Sequence, residues 1–125
     1  MLIFATKIAH IDQAIIDPWT AIHASSGLLL GLLGTCQAST LAIATLWEII
    51  ENLPTGRTIW LLMGDDHYNG DSWQNIISDI LFVTLFSRVN KDFNQKTAHI
   101  CLIFLFLIFR SYDAHLAMSQ CNPTE

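Results

Sequence analysis

Charge is what this chain has least of. Only 14% of its 125 residues are Asp, Glu, Lys or Arg, whereas a soluble domain carries about 25%. That is too little to coat the water-facing surface of a domain this size. Bases are scarcer than acids: six Lys and Arg stand against eleven Asp and Glu, a net charge of -5. There is no basic stripe and no nucleic-acid motif. Nucleic-acid binding depends on Lys and Arg neutralising phosphates, so no nucleic-acid partner is expected. The three cysteines, Cys36, Cys101 and Cys121, are far apart and form no C-x-x-C pair, which leaves neither a thioredoxin-type site nor a zinc knuckle. Gly64-Asp65-Asp66 lacks the regular oxygen spacing of a calcium loop. Lys7, His10, Asp12 and Gln13 interrupt the first sixteen residues, so no clean apolar core precedes a signal-peptide cleavage site.

Apolar residues are abundant, at 52%. A helix needs about 20 mostly apolar residues to cross a hydrocarbon core roughly 30 Å thick. The pattern predicts an all-α, polytopic transmembrane helical bundle in one integral membrane domain, 1–125. About four spans are expected, at 18–36, 37–53, 71–88 and 97–118. Asp17 and Pro18 suit the start of the first span, and Pro54 ends the second. Ser25, Ser26, Gly27 and Gly31 make a small-residue surface fit for close helix packing. Ile3, Phe4, Ile8, Ile11 and Ile15 recur at near-helical spacing, so residues 1–16 are expected to form an interfacial amphipathic helix. Thr58 to Met63 is apolar enough to lie on the membrane surface, and Trp19, Trp60 and Trp73 fall where an aromatic belt belongs. Arg88, Lys91 and Lys96 bracket the last turn. The positive-inside tendency puts that turn, 89–96, in the cytoplasm, with the chain in the inner membrane.

Four alternating spans bring the polar residues to one side. The first contributes Asp17 and His23. The second contributes Glu48, Glu51 and Asn52, the third Asp71, Ser72, Asn75 and Asp79, and the fourth Arg110, Asp113 and His115. The opposite halves, such as Leu28 to Leu33 and Leu102 to Phe109, are almost purely apolar. Asp71, Asn75 and Asp79 lie at i, i+4 and i+8, and Glu48, Glu51 and Asn52 at i, i+3 and i+4, so each set forms one helix face. Ionisable groups in a span turn inward to partners or a wet cavity. The two stripes should therefore face each other, with His23 nearby.

Carboxylates with one imidazole suit a divalent metal, and oxygen-rich donors favour Mg, Mn or Ca. His23, Glu48, Glu51, Asp71 and Asp79 are the candidate metal ligands. Glu48, Glu51 and Asp79 are the candidate catalytic groups, able to exchange protons where burial separates their pKa values. Asp17, Asn52, Ser72 and Asn75 are candidate substrate contacts. A cationic or phosphorylated lipid head group is a second ligand for the same set. Each residue also has a plainer reading. Glu48 and Glu51 can be interfacial helix-end charges, and Asp71 an N-cap. Asp79 can be a structural partner of His23 or Arg110, Arg110 and Asp113 a simple ion pair, and Asp65, Asp66 and His67 solvated turn residues.

The run Ile16-Asp17-Pro18-Trp19 through His23 and Gly27 resembles the VanZ-like group of small membrane proteins. So do Trp47-Glu48-x-x-Glu51-Asn52 and Tyr68-x-Gly70-Asp71-Ser72-x-x-Asn75-x-x-x-Asp79. Within that group the pattern most resembles an uncharacterised bacterial membrane family with W-E-x-x-E-N and Y-x-G-D-S-x-x-N motifs. The resemblance covers about Ile16 to Ile80. It implies a multi-helix membrane fold that shares this acidic, amide and histidine set, and it supplies no reaction.

The expected function is therefore a membrane-embedded site that binds or acts on a lipid-linked or envelope substrate. As an enzyme it would be a metal-assisted hydrolase or transferase. The competing reading is a non-catalytic accessory subunit, packed as a homo-oligomer or within a larger membrane complex. Phe82, Phe86, Phe104, Phe106 and Phe109 would then meet neighbouring subunits or pigments and lipids. A transporter is the weakest reading, since no paired discontinuous helices are evident.

Overall fold

Local chemistry sets the starts of three of the helices. The Asp17 side chain accepts a hydrogen bond from the backbone N–H of Thr20 at 3.1 Å, and the Thr20 hydroxyl accepts from the Asp17 N–H at 3.1 Å. This reciprocal cap, with Pro18 in the first turn, sets the beginning of α1 (Pro18–Leu32). Gly34, at φ 77°, closes the following turn, a left-handed conformation that glycine adopts without a Cβ penalty. Next come α2 (Gln37–Asn52) and α3 (Pro54–Leu62), separated by Leu53 alone. Pro54 ends one helix and opens the other, because its fixed φ suits a first turn. Ser72 then accepts from the Asn75 N–H at 3.2 Å and opens α4 (Trp73–Val89). Ser72 thus takes the capping place considered for Asp71, which lies one residue further out. The last helix is α5 (Gln95–Cys121).

The computed structural model describes residues 2–62, 68–89 and 95–121. It is all-helical, and among the described residues the sole β feature is an isolated bridge between Phe4 and Ile16. Asp65, Asp66 and His67, and most of the turn expected in the cytoplasm, lie outside the described residues.

Helix α4 is the central element and packs on both α1 and α2. A Cβ on Gly27 would strike the Val83 backbone, and one on Gly31 the Ser87 backbone. Their contacts advance in step, so α1 and α4 run parallel at very close approach, the packing that small residues permit. At the far end Arg88 of α4 donates to the Gln37 side chain at the start of α2, so α2 runs antiparallel to α4. Helix α5 returns along α1: Phe109 meets Trp19 with ring centroids 5.4 Å apart, and the Tyr112 hydroxyl donates to the Ala5 carbonyl. The beginnings of α1 and α4 and the ends of α2 and α5 therefore share one end of the bundle.

The N-terminal segment departs from the amphipathic helix expected over 1–16. Residues 2–16 fold back on themselves around a 3-10 turn at Ile8–His10, with Asp12 at φ 64°. Ala5 N–H donates to the Ile16 carbonyl at 3.0 Å, and Ile16 N–H to the Ile3 carbonyl at 2.8 Å. Tertiary hydrogen bonds outcompete helical ones here. Asp17 accepts from the Asp12 N–H at 2.9 Å, Asn75 donates to the Ala14 carbonyl at 2.9 Å, and the Ser72 N–H donates to the Asp12 carbonyl at 2.7 Å.

Burial is inverted relative to a water-soluble bundle. Among the described residues, buried polar side chains outnumber buried apolar ones, and most of the apolar ones are alanines. Large apolar side chains face outward, including Leu33 at 72% exposed and Leu62 at 82%. Helices of 15, 16 and 17 residues reach about 23–26 Å at 1.5 Å per residue. Among the described residues, no helix is long and apolar enough to cross a membrane. The segments expected as spans at 18–36, 37–53, 71–88 and 97–118 are therefore found as the helices α1, α2, α4 and α5, without the length and apolarity that spanning requires.

Candidate functional site

Three side chains on three helices form the centre of the shared end. His23, one turn into α1, sits between an acid from α2 and an acid from α4. Its Nδ1 is 3.7 Å from Glu48 Oε1, and its Nε2 is 3.7 Å from Asp79 Oδ2. Both distances exceed the 2.7–3.2 Å usual for N–H···O hydrogen bonds. The three side chains surround a space without closing it. Ligand atoms of His23, Glu48 and Asp79 all lie within 4.8 Å of one another, as do those of Glu48, Glu51 and Asp71. Glu48 belongs to both groups, so the two could share it while holding one or two ions.

The acids are deeply placed, with Glu48 4% exposed and Asp79 2%. Glu48 Oε2, Glu51 Oε2 and Asp79 Oδ1 are buried with no hydrogen-bond partner. Among the described residues, no Lys or Arg pairs with them. A cavity of about 10 Å³ lies among His23, Glu51, Asp71, Asn75 and Asp79, close to the roughly 10–15 Å³ minimum for one water.

A rigid polar frame holds the acids in place. Asn52 is a clamp: its Nδ2 donates to Asp71 Oδ2 at 2.8 Å and to the Glu48 carbonyl at 3.0 Å, while its Oδ1 accepts from the Asp71 N–H at 2.8 Å. The Tyr68 hydroxyl donates to Asp71 Oδ2 at 2.8 Å, and the Trp60 indole donates to Glu51 Oε1 at 2.9 Å. Burial raises the Asp71 carboxyl above its ordinary range, against the hydrogen bonds from Tyr68 and Asn52 that favour its charged form. The Tyr68 phenol is pushed up by burial first and then by the neighbouring Asp71 charge. Trp19, Trp60 and Tyr68 form an aromatic wall over this end, with centroids 4.9 Å and 5.8 Å apart.

The structure sorts the residues singled out from sequence. The stripes Glu48–Glu51–Asn52 and Asp71–Asn75–Asp79 do face each other, with His23 between them. Asp71 belongs to the site and is not the cap of α4, since its carboxylate is bound by Asn52 and Tyr68. Asp17, Ser72 and Asn75 spend their hydrogen bonds within the fold: Asp17 caps α1, and all three hold the N-terminal segment. Asn75 still borders the small cavity. Arg110 and His115 are exposed and do not join the cluster, so His23, and not Arg110, is the partner of Asp79. The Asp113 side chain, and with it the expected pair with Arg110, lies outside the described residues.

Sequence reasoning missed two members of the site. The sequence places Trp60 in an interfacial belt and shows Tyr68 only as part of a motif. The sharp turn at Pro54 brings Trp60 back to Glu51, and no periodicity within either helix signals that return.

No family model, curated protein or solved structure matches this chain.

Proposed function

We propose that this chain is a small integral membrane protein whose buried His–carboxylate site holds a divalent cation and, through it, binds or acts on a lipid-linked or envelope substrate. The observation that carries this reading is the set of three partnerless buried oxygens, on Glu48, Glu51 and Asp79, within two overlapping groups, His23–Glu48–Asp79 and Glu48–Glu51–Asp71. An unpaired buried charge is strongly unfavourable, and a cation among these oxygens offsets that cost. Carboxylates with one imidazole favour Mg or Mn. Such an ion, when bound, would hold a phosphate or activate a water. His23, Glu48 and Asp79 would be its ligands, Glu51 and Asp71 would extend the site, and Asn52, Trp60 and Tyr68 would hold the acids in position.

Three facts support the membrane part of the reading. The chain has too few charges for an aqueous surface, its apolar side chains face outward, and its polar ones are buried. Helices shorter than the hydrocarbon core are accommodated by local thinning of the bilayer. The resemblance to the VanZ-like group points the same way.

The test is Mn²⁺ binding to the purified full chain, followed by electron paramagnetic resonance. The wild type should bind one or two ions, and Glu48→Gln with Asp79→Asn should weaken binding at least tenfold. A wild type that binds no Mn²⁺ at millimolar concentration would sink the cation site.

The outward apolar faces of α4 and α5, with Leu81 and Leu85 on one and Phe104 and Phe106 on the other, support the second reading, an accessory subunit in a homo-oligomer or larger membrane complex. The mass of the particle extracted in mild detergent distinguishes a single chain from an assembly.

A further inference from the structure

Helices α1 and α2 are joined by a short turn yet do not pack together. Each packs on α4, leaving an open cleft between them. The cleft has a volume of about 370 Å³, within the roughly 300–1,000 Å³ of small-molecule sites. Its lining changes character along its length. Leu30 and Ile43 line the half nearer the α1–α2 turn, Val83 of α4 contributes to the wall, and His23, Glu51 and Trp60 line the other end. From Trp19 to Leu30 along α1 the cleft runs about 16 Å at 1.5 Å rise per residue, or half of a hydrocarbon core roughly 30 Å thick. It therefore has the depth of one membrane leaflet, with its polar end where head groups lie.

We propose that this cleft seats one acyl chain of a phosphate-headed lipid, admitted sideways between α1 and α2, with the phosphate at the His23–Glu51 end. The inference rests on the cation site proposed above. Unaided, the acids would repel a phosphate, whereas an ion held by His23, Glu48 and Asp79 turns the same end into an anion receptor. A second apolar depression, on the outside of α4, provides an internal comparison. It has the same volume of about 370 Å³ and is lined by Trp73, Ile77, Leu81 and Leu85, with no acid or histidine. Bulk lipid should wet both equally, while a built site should prefer the cleft with the polar end.

The experiment uses the full chain in phosphatidylcholine nanodiscs that contain phosphatidic acid with a photoreactive diazirine in its acyl chain. Cross-links are mapped by mass spectrometry in the presence of Mg²⁺ or of a chelator. With Mg²⁺, labelling should concentrate on Leu30 and Ile43 several-fold over Leu81 and Leu85, and the chelator should abolish that preference. Ser26→Trp and Leu29→Trp place an indole in the cleft at exposed positions. Each should suppress labelling of Ile43 while leaving Mn²⁺ affinity unchanged. Equal labelling of the two depressions would overturn the inference. So would labelling that survives both tryptophan variants, or equal labelling by phosphatidylcholine carrying the same diazirine. Failure of the cation site is read separately: if Mn²⁺ does not bind, that reading falls and the phosphate part of the inference with it. If Mn²⁺ binds and labelling is even, the cleft alone is lost.

Discussion

Asp17 shows how one residue serves the site without facing it. Its carboxylate caps α1, holds the Asp12 N–H and lies 3.5 Å from the Asn75 amide, so it ties the N-terminal segment to the bundle. Burial raises its pKa above the ordinary value of 3.8, against the hydrogen bonds from Asp12, Thr20 and Trp19 that lower it. A carboxyl whose folded pKa is raised contributes stability that is complete below its unfolded value and is lost as pH rises through the folded value. Asp17→Asn keeps an equally good cap and removes this titration. Its melting temperature should therefore vary less than that of wild type between acid and neutral pH, with chelator present throughout. An Asn variant with the wild-type pH slope would refute this assignment. Asp17→Ala also loses the cap and should cost about 0.5–2 kcal/mol in thermal or denaturant unfolding.

Glycines allow the closest approaches of α1 to α4 and of α3 to the end of α2. Gly27 lies against the Val83 backbone, and this contact fixes the spacing of α1 and α4 and hence of His23 and Asp79. Gly27→Ala should force the two helices apart, at about 1–3 kcal/mol for an overpacked contact. Ser26→Ala, on the exposed side of the same helix, should stay within about 0.5 kcal/mol. Equal melting temperatures for the two variants would show that the α1–α4 spacing is slack. Gly56 has the same role for α3, since a Cβ there would collide with the Glu51 backbone. Gly56→Ala should lift α3, break the Trp60–Glu51 hydrogen bond and red-shift the tryptophan fluorescence. An unchanged emission spectrum would mean that Trp60 is held by its ring contacts alone.

In the membrane protein proposed above, the two ends of the bundle would lie at opposite faces of the bilayer. Cys36 is exposed on the turn between α1 and α2, at the end opposite the site. Arg88 reaches Gln37 at that same end. If the basic turn after α4 is cytoplasmic, Cys36 is too. With Cys101 and Cys121 replaced by Ser, a membrane-impermeant maleimide should label Cys36 only after the membrane is opened. Labelling in intact cells would reverse the orientation and put the acidic site inside.

The sequence alone was enough to predict an all-helical chain, the positions of α1, α2 and α4, and the gathering of its acids at one end. Helix periodicity is a local property that needs no knowledge of contacts, and the gathering at one end follows once the expected spans alternate in direction. The facing of Glu48–Glu51–Asn52 and Asp71–Asn75–Asp79 follows from the same periodicity, because a polar stripe on a helix in apolar surroundings has nowhere to turn but inward. The tertiary structure decided the rest. It drew the N-terminal segment out of a helix, because Asp17, Ser72 and Asn75 offer its backbone better partners than its own neighbours do. It made Arg110 an outward residue and Trp60 a site residue. Such outcomes depend on the rotation of one helix against another and on the bend at Pro54, which are set by packing between segments distant in the chain. The α1–α2 cleft belongs to that second class. It exists because α1 and α2 each pack on α4 rather than on each other.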